Sequence, residues 1–342
     1  MSGPESPPPL LEVRDLRVRF RVPAGVVHAV DGVSLALPAG QTLALVGESG
    51  CGKSSLARAI VGIEHPESGE VRLAGRAVPT RGPERRALCR QLQLIFQDPD
   101  ASLNPRLTIG QAVSEPIGIH RPQLARPARL QAAKALLERV GLDPTLFERY
   151  PHELSGGQRQ RVSIARALSV EPRVLILDEA VSALDVSIRA QILNLLVELQ
   201  RATQLAYLFI THDLGVVRHL AHRVAVMYLG QIVEEADTES LFEHPEHPYT
   251  QALLGAVLRV DPDAPRPTLG VVGEPPSPLR PPPGCRFASR CSHAFAPCAA
   301  NAPPPYPRAG GSVRCFLADP EQAPQAAPLG ASVQNFRVKR AP

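Results

Sequence analysis

The chain has 342 residues, 44% of them apolar and 20% charged, with a formal net charge of +4. That length and apolar share supply a core of full size, in two domains or one large domain with an appendage, and exclude wholesale disorder. No run of eighteen apolar residues occurs, which excludes a helical membrane span, and the charge is too small for its sign to imply a nucleic-acid partner.

Residues 1–9 are Pro-rich and lack the basic start and apolar run of a secretion signal, so a flexible tail and a cytoplasmic location are expected. Residues 10–46 read as β-rich. Leu11 to Phe20 alternates apolar and polar, as a half-buried strand does, and Leu43 to Val46 is a wholly apolar run suited to a buried parallel strand. A helix is predicted over 53–62, ending at Gly62, with short strands at Val71–Leu73 and Gln93–Phe96. From about 106 to 170 the pattern is helical. Val174–Leu177 reads as a buried strand, Val186–Ala202 as a helix and Tyr207–Ile210 as a strand. Strands alternating with helices predict an α/β fold with a mostly parallel sheet and helices on both faces.

Near residue 261 the composition shifts. Residues 262–307 hold 14 of the chain's 37 prolines, and four of its six cysteines fall in or just after this stretch. Such proline density argues against regular helix or central strand. A small, irregular module over 261–318 is expected, with 319–342 as a second flexible tail.

The strongest chemical signal is Gly47-Glu48-Ser49-Gly50-Cys51-Gly52-Lys53-Ser54, followed by Ser55. It fits G-x-x-x-x-G-K-[ST] at every fixed position, between a buried strand and a helix. The glycines let successive backbone N–H groups point at a phosphate, and the helix adds its positive dipole end. Lys53 is expected on the β and γ phosphates of a nucleotide and the Ser54 hydroxyl on Mg²⁺. A chance glycine-rich turn is the bland alternative. Of 37 basic residues only three are Lys, so a Lys at this position points to a need for a compact charge rather than a planar fork. The second element is Val174-Leu175-Ile176-Leu177-Asp178-Glu179, an apolar strand delivering two acids at its carboxyl end. Asp178 is expected to hold Mg²⁺ and Glu179 to orient and deprotonate the attacking water. Solvated acids at a strand end are the alternative there.

These two elements are common to many nucleotide hydrolases. Leu154-Ser155-Gly156-Gly157-Gln158-Arg159-Gln160-Arg161, seventeen positions before Asp178, resembles the signature of ABC-transporter ATPases. The same resemblance extends to Gln97 after Leu94-Ile95-Phe96, to Ser182-Ala183-Leu184-Asp185 and to Thr211-His212-Asp213, and it covers residues 10–260. It implies a P-loop NTPase of ABC type, with an N-terminal antiparallel β subdomain and a helical signature subdomain over about 98–170. It also implies that Phe20 stacks on adenine, that Gln97 senses metal and nucleophile, and that His212 contacts the γ-phosphate. Ser155, Gly156, Gly157 and Gln158 would complete the nucleotide site of a partner cassette, and Asp185 would cross the dimer interface. Ser155 also reads more simply as a helix cap.

Phe96-Gln97-Asp98-Pro99, Ala101 to Arg106, Val181 to Ile188 and His247-Pro248-Tyr249-Thr250 resemble the dipeptide/oligopeptide and nickel importer ATPases, nearest to their second, F-type subunit. The partners this implies are a second ATPase in a heterodimer or homodimer, two transmembrane permeases and an extracytoplasmic solute-binding protein. The place implied is the cytoplasmic face of the inner membrane. One departure is Ala180, where the group usually has proline after the catalytic Glu. The resemblance further suggests a 4Fe–4S cluster on Cys285, Cys291, Cys298 and Cys315, with Arg286, Arg290 and Arg314 favouring thiolates. Structural zinc and four reduced thiols stay open beside it. Two other readings of the whole chain are a soluble ABC ATPase in DNA repair or translation and a regulatory iron–sulfur protein that uses ATP. The single uninterrupted cassette without heptads weighs against the former.

Overall fold

The computed structural model describes residues 9–79, 82–98, 102–256 and 273–322. Strands β1 (Leu11–Val22) and β2 (Gly25–Leu37) form an antiparallel pair. Strand β3 (Thr42–Val46) runs into helix α1 (Lys53–Ile60). Then β4 (Ser68–Leu73) and β5 (Arg76–Ala77) return to β1, giving a four-stranded sheet in the order β2-β1-β4-β5. Helix α2 (Pro83–Gln91) leads into β6 (Leu92–Ile95). A helical block follows, made of α3 (Ile109–His120), α4 (Arg126–Arg139) and α5 (Gly156–Leu168). The chain re-enters the sheet through β7 (Val174–Asp178), α6 (Val186–Thr203), β8 (Ala206–Ile210), α7 (Leu214–Leu220), β9 (Arg223–Tyr228) and β10 (Gln231–Asp237). Helices α8 (Thr238–Glu243) and α9 (Pro248–Gly255) follow. After residue 273 come the one-turn α10 (Ala296–Ala300) and the hairpin β11 (Tyr306–Arg308) and β12 (Gly311–Val313).

The large sheet has the order β11-β12-β10-β9-β3-β8-β7-β6. Strands β9, β3, β8, β7 and β6 are mutually parallel, and β10, β12 and β11 add antiparallel at one edge. Every residue of β3, β7 and β8 is buried, which is why these strands read as continuous apolar runs rather than alternating ones. Alternate side chains still go to opposite faces. Ile176, Leu208 and Ile210 pack with Leu56 and Ile60 of α1 and with Leu11, Leu16 and Val30 of the small sheet. Leu175, Leu177, Tyr207 and Phe209 pack on the other face against Val113, Leu137, Ile164 and Leu196 of the helices. The parallel strands therefore end at one edge, and the loops after β3, β6, β7 and β8 meet there, where open α/β sheets bind ligands.

The helical region expected over 106–170 consists of α3, α4 and α5, joined in part by the 3₁₀ turns Pro144–Glu148 and Pro151–Glu153. Thr108 starts α3 with a reciprocal cap, its hydroxyl accepting from Gln111 N–H at 3.3 Å and its own N–H donating to the Gln111 side chain at 3.0 Å.

The Pro-rich stretch departs from expectation. It holds a turn of helix and the start of a hairpin, and the hairpin extends the large sheet by pairing Val313 with Glu234 and Ser312 with Glu235. Proline is compatible with both because of position. Pro297 sits in the first turn of α10, where an N–H has no helical partner, and Pro307 lies on the outermost strand. A third apolar cluster joins Val46 of β3 and Val226 and Tyr228 of β9 to Tyr249 of α9 and Phe287. Burying Phe287 contributes roughly 1.5–3 kcal/mol, and it ties the segment after 273 into the cassette. Among the described residues no helix is long and apolar enough to cross a membrane.

Candidate functional site

The phosphate loop leaves β3 at Gly47 and enters α1 at Lys53. Its glycines are required for different reasons. A Cβ on Gly47 would stand 2.1 Å from the Met227 carbonyl oxygen, and one on Gly52 would stand 2.0 Å from that of Ala29. Gly50 faces open space but has φ +77°, where only glycine is unstrained. The Lys53 ammonium, almost fully buried, donates to the Gly47 carbonyl at 2.8 Å and the Glu48 carbonyl at 2.9 Å. Phe20, Val27, His28, Ala29 and Pro278 line an open cleft of about 310 Å³ together with Ser49, Gly50, Cys51, Gly52, Lys53, Ser54, Ser55, Gln97 and Glu179. Phe20 and Val27 face each other across β1 and β2. Gly47 and Glu48 do not line this cleft; they anchor the loop from behind. Cys51 is buried, and burial pushes its thiol up.

The carboxylates fall where β7 ends. The Ser54 hydroxyl donates to Asp178 Oδ1 at 3.0 Å, and burial pushes the Asp178 carboxyl up from its usual range. Hydroxyl, carboxylate and amide oxygens from Ser54, Asp178 and Gln97 are the hard donor set that Mg²⁺ takes. Gln97 Nε2 donates to Glu179 Oε2 at 3.1 Å, and His212 Nδ1 lies 3.6 Å from the same oxygen. Glu179 has φ +48°, an uncommon conformation for a side-chain-bearing residue. The turn after it stays closed without a proline. Ser182 donates to the Glu179 carbonyl through its N–H at 3.1 Å and its hydroxyl at 2.6 Å, and Ala180 is buried in the core.

The signature is elsewhere. Ser155 caps α5, accepting from Gln158 N–H at 3.3 Å while Gln158 Oε1 accepts from Ser155 N–H at 2.9 Å. None of Ser155, Gly156, Gly157 and Gln158 lines the cleft of its own chain. A Cβ on Gly157 would come 2.4 Å from Ile188 Cγ2, so the signature packs directly on the start of α6. Asp185, just before α6, is exposed.

The family model for ABC transporters matches residues 30–182, and that for the oligopeptide/dipeptide transporter C-terminal region matches 233–298. The dipeptide transport ATP-binding protein DppF of Escherichia coli is 47% identical over 93% of this chain and 97% of that protein. The oligopeptide transport ATP-binding protein OppF of the same organism is 47% identical over 91% and 97%. The chain belongs to the peptide-type ABC transporter ATP-binding family. Among solved structures, cbiO1 from Clostridium perfringens, part of the ABC transporter complex cbiONQ, has a TM-score of 0.61 at 30% identity, over 69% of this chain and 92% of that one. A dimeric ATP-binding cassette bound to ADP and Pi has a TM-score of 0.61 at 27% identity, over 67% and 98%. As a member of this ABC family the chain is an ATPase that hydrolyses ATP to drive transport, on the P-loop NTPase fold described above.

The family's C-terminal region corrects two expectations. Cys285, Cys291, Cys298 and Cys315 are free thiols that lie near one another, with Cys285 N–H donating to the Cys298 carbonyl at 2.8 Å. Among the described residues, however, no three His, Cys, Asp or Glu side chains are grouped so as to hold a metal ion. Burial pushes the Cys285 thiol up to about 11, the Cys315 thiol up to about 12, and Cys291 in the same direction. The arginines beside them do not favour thiolates: Arg286 pairs with Asp31, and Arg290 with Glu48. The expected 4Fe–4S cluster therefore has no support in this arrangement. Phe287 of the extension and Tyr249 of the cassette lie 5.4 Å apart in one aromatic cluster with Tyr228.

Sequence reasoning missed several residues at the site. The Tyr249 hydroxyl accepts from the Glu48 N–H at 2.9 Å, and His247 caps the helix that carries it, accepting from Tyr249 N–H at 3.0 Å. The His247-Pro248-Tyr249-Thr250 motif was the available signal. Pro278 and His28 had none.

Proposed function

We propose that this chain is one of two ATPase subunits of an importer for dipeptides, oligopeptides or related solutes, docked peripherally on two permeases at the cytoplasmic face of the inner membrane and fed by an extracytoplasmic binding protein. The similarity to DppF and OppF over nearly the whole chain supports the solute class. One observation carries the catalytic assignment. Glu179 shares the cleft with Lys53 and Ser54, and its carboxylate is held by Gln97 and faces His212.

In this reading Phe20 stacks on the base and the loop from Gly47 to Ser55 wraps the phosphates, Lys53 leaving its carbonyl partners for the β and γ oxygens. Ser54, Asp178 and Gln97 hold Mg²⁺, which neutralises charge developing on the phosphate oxygens when bound. Glu179 takes the proton from water at Oε1 or Oε2, with Gln97 fixing its orientation and His212 on the γ-phosphate. Ser155 to Gln158 serve the partner's nucleotide, and Asp185 crosses to the partner. Val186, beside Asp185, is 79% exposed, an apolar side chain suited to burial in such a contact. ATP binding closes the sandwich and hydrolysis reopens it.

Lys53→Ala is the direct test of the nucleotide site. Removing the only buried cation of the loop is expected to weaken MgATP binding by about tenfold or more, read by calorimetry on the full chain; unaltered affinity would displace the site. The isolated chain is expected to be a poor ATPase whose activity rises with concentration or with the partner subunit. Brisk, concentration-independent turnover by a monomer contradicts the shared site.

A further inference from the structure

Glu48 puts an acid in the loop read here as binding a polyanion. Its backbone carbonyl is one of the two that hold Lys53, and its N–H is fixed by Tyr249, yet its side chain carries a negative charge one residue from the glycine that opens the loop. Although Glu48 does not itself line the cleft, an unneutralised carboxylate on this loop would repel a triphosphate held by the loop's other residues, because protein screens charge less than water does. The structure answers with a cation from the far end of the chain. Arg290 forms a two-pronged pair with Glu48, Nη1 to Oε2 at 2.9 Å and Nη2 to Oε1 at 3.0 Å. Parallel fork bonds of this kind fix direction as well as charge.

The fork is itself held. The Arg290 side chain is only 6% exposed, while that of Glu48 is 27% exposed. Its guanidinium lies 5.7 Å from the centre of the Tyr228 ring and donates to the Tyr228 hydroxyl at 3.2 Å. The segment carrying it is seated on both sides. Phe287 is buried against Tyr228 and Tyr249. Arg286 donates to the Leu229 carbonyl and to Asp31, and Leu229 lines the nucleotide cleft. Upstream, the Pro278 carbonyl accepts from the His28 N–H at 3.0 Å and Pro278 forms part of the cleft wall near Phe20.

We propose that Arg290 is a positioning residue for the nucleotide: by neutralising and orienting Glu48 it makes the phosphate loop competent for MgATP, so that the C-terminal extension sets the nucleotide affinity of the cassette. Arg290 does not line the cleft. It acts through Glu48, whose carbonyl and N–H fix one end of the loop. The inference rests on the reading of this cleft as the MgATP site, and it assigns to the extension a task in the catalytic cycle that packing alone does not require.

The test is equilibrium binding of MgATP to the full-length chain, measured by calorimetry. Arg290→Met keeps the apolar stem on Tyr228 and removes the charge; about tenfold weaker binding is expected from the exposed repulsion. Glu48→Gln added to Arg290→Met is expected to recover most of that loss, because the repulsion goes with the carboxylate. Arg290→Lys, a charge without the fork, should fall between. Circular dichroism and melting of each variant report whether the fold is kept. A merely structural anchor predicts that Glu48→Gln gives no recovery, and that result overturns the proposal, as does unaltered affinity in Arg290→Met. Lys53→Ala run alongside separates the two levels. If it binds MgATP like the unaltered chain, the site reading fails. If it loses affinity while Arg290→Met does not, only the role of Arg290 fails.

Discussion

Glu179→Gln is expected to lower ATP turnover in the assembled transporter by about 100-fold or more while MgATP binding persists. The substitution keeps the shape of the side chain and one acceptor oxygen, which Gln97 can still donate to, and the turn that Ser182 closes on the backbone carbonyl is undisturbed. What is lost is a group that accepts a proton from water. A binding residue would show the opposite split, weaker binding with residual turnover at saturation. The variant should therefore accumulate as an ATP-bound closed dimer, visible by size-exclusion chromatography with MgATP. Turnover equal to the unaltered protein would remove Glu179 from the role of base and leave His212, 3.6 Å from its carboxylate, as the next group to change.

The parts of this structure most legible in the sequence are those where chemistry and periodicity coincide. The buried strands β3, β7 and β8 announce themselves as unbroken apolar runs because both of their faces are covered. The loop from Gly47 to Ser54 is legible because its residues are constrained by contacts that no other side chain fits, as the 2.0 Å approach of a Gly52 Cβ to the Ala29 carbonyl shows. Strand β9 carries the same signal as β3, β7 and β8, an apolar run from Val224 to Tyr228 that is fully buried, yet no strand is predicted there or at β10. The extension was the least legible. Among its described residues the one α-helix after 273 is the single turn Ala296–Ala300, and its prolines say nothing of where a two-residue pairing such as Val313 with Glu234 will attach. Arg290 was visible only as a residue beside a cysteine. Its actual partner is 242 positions away, and no local pattern encodes a pair at that separation.

Ser155→Arg is expected to abolish hydrolysis at the partner's nucleotide and to leave the nucleotide on its own chain bound. The reasoning begins with the cap. Ser155 is exposed at the N-terminus of α5, and its hydroxyl and Gln158 satisfy two backbone N–H groups that have no helical partner. Losing that cap costs about 1 kcal/mol, too little to unfold a helix whose inner face, with Val162 and Ile164, is fully buried. In the proposed function the capped N-terminus with two glycines after it takes the partner's γ-phosphate, and it does not line the chain's own cleft. An arginine at this exposed position covers the helix N-terminus, so a γ-phosphate presented by another cassette can no longer reach the backbone N–H groups. In a complex where only this chain carries the substitution, a photoreactive ATP trapped after turnover should label this chain's phosphate loop and be lost from the partner's. Ser155→Thr, which keeps the capping hydroxyl and adds one methyl, should retain most of the activity. Loss of label from the mutated chain itself, with the partner still labelled, would establish that the signature serves its own nucleotide and that the head-to-tail arrangement is wrong.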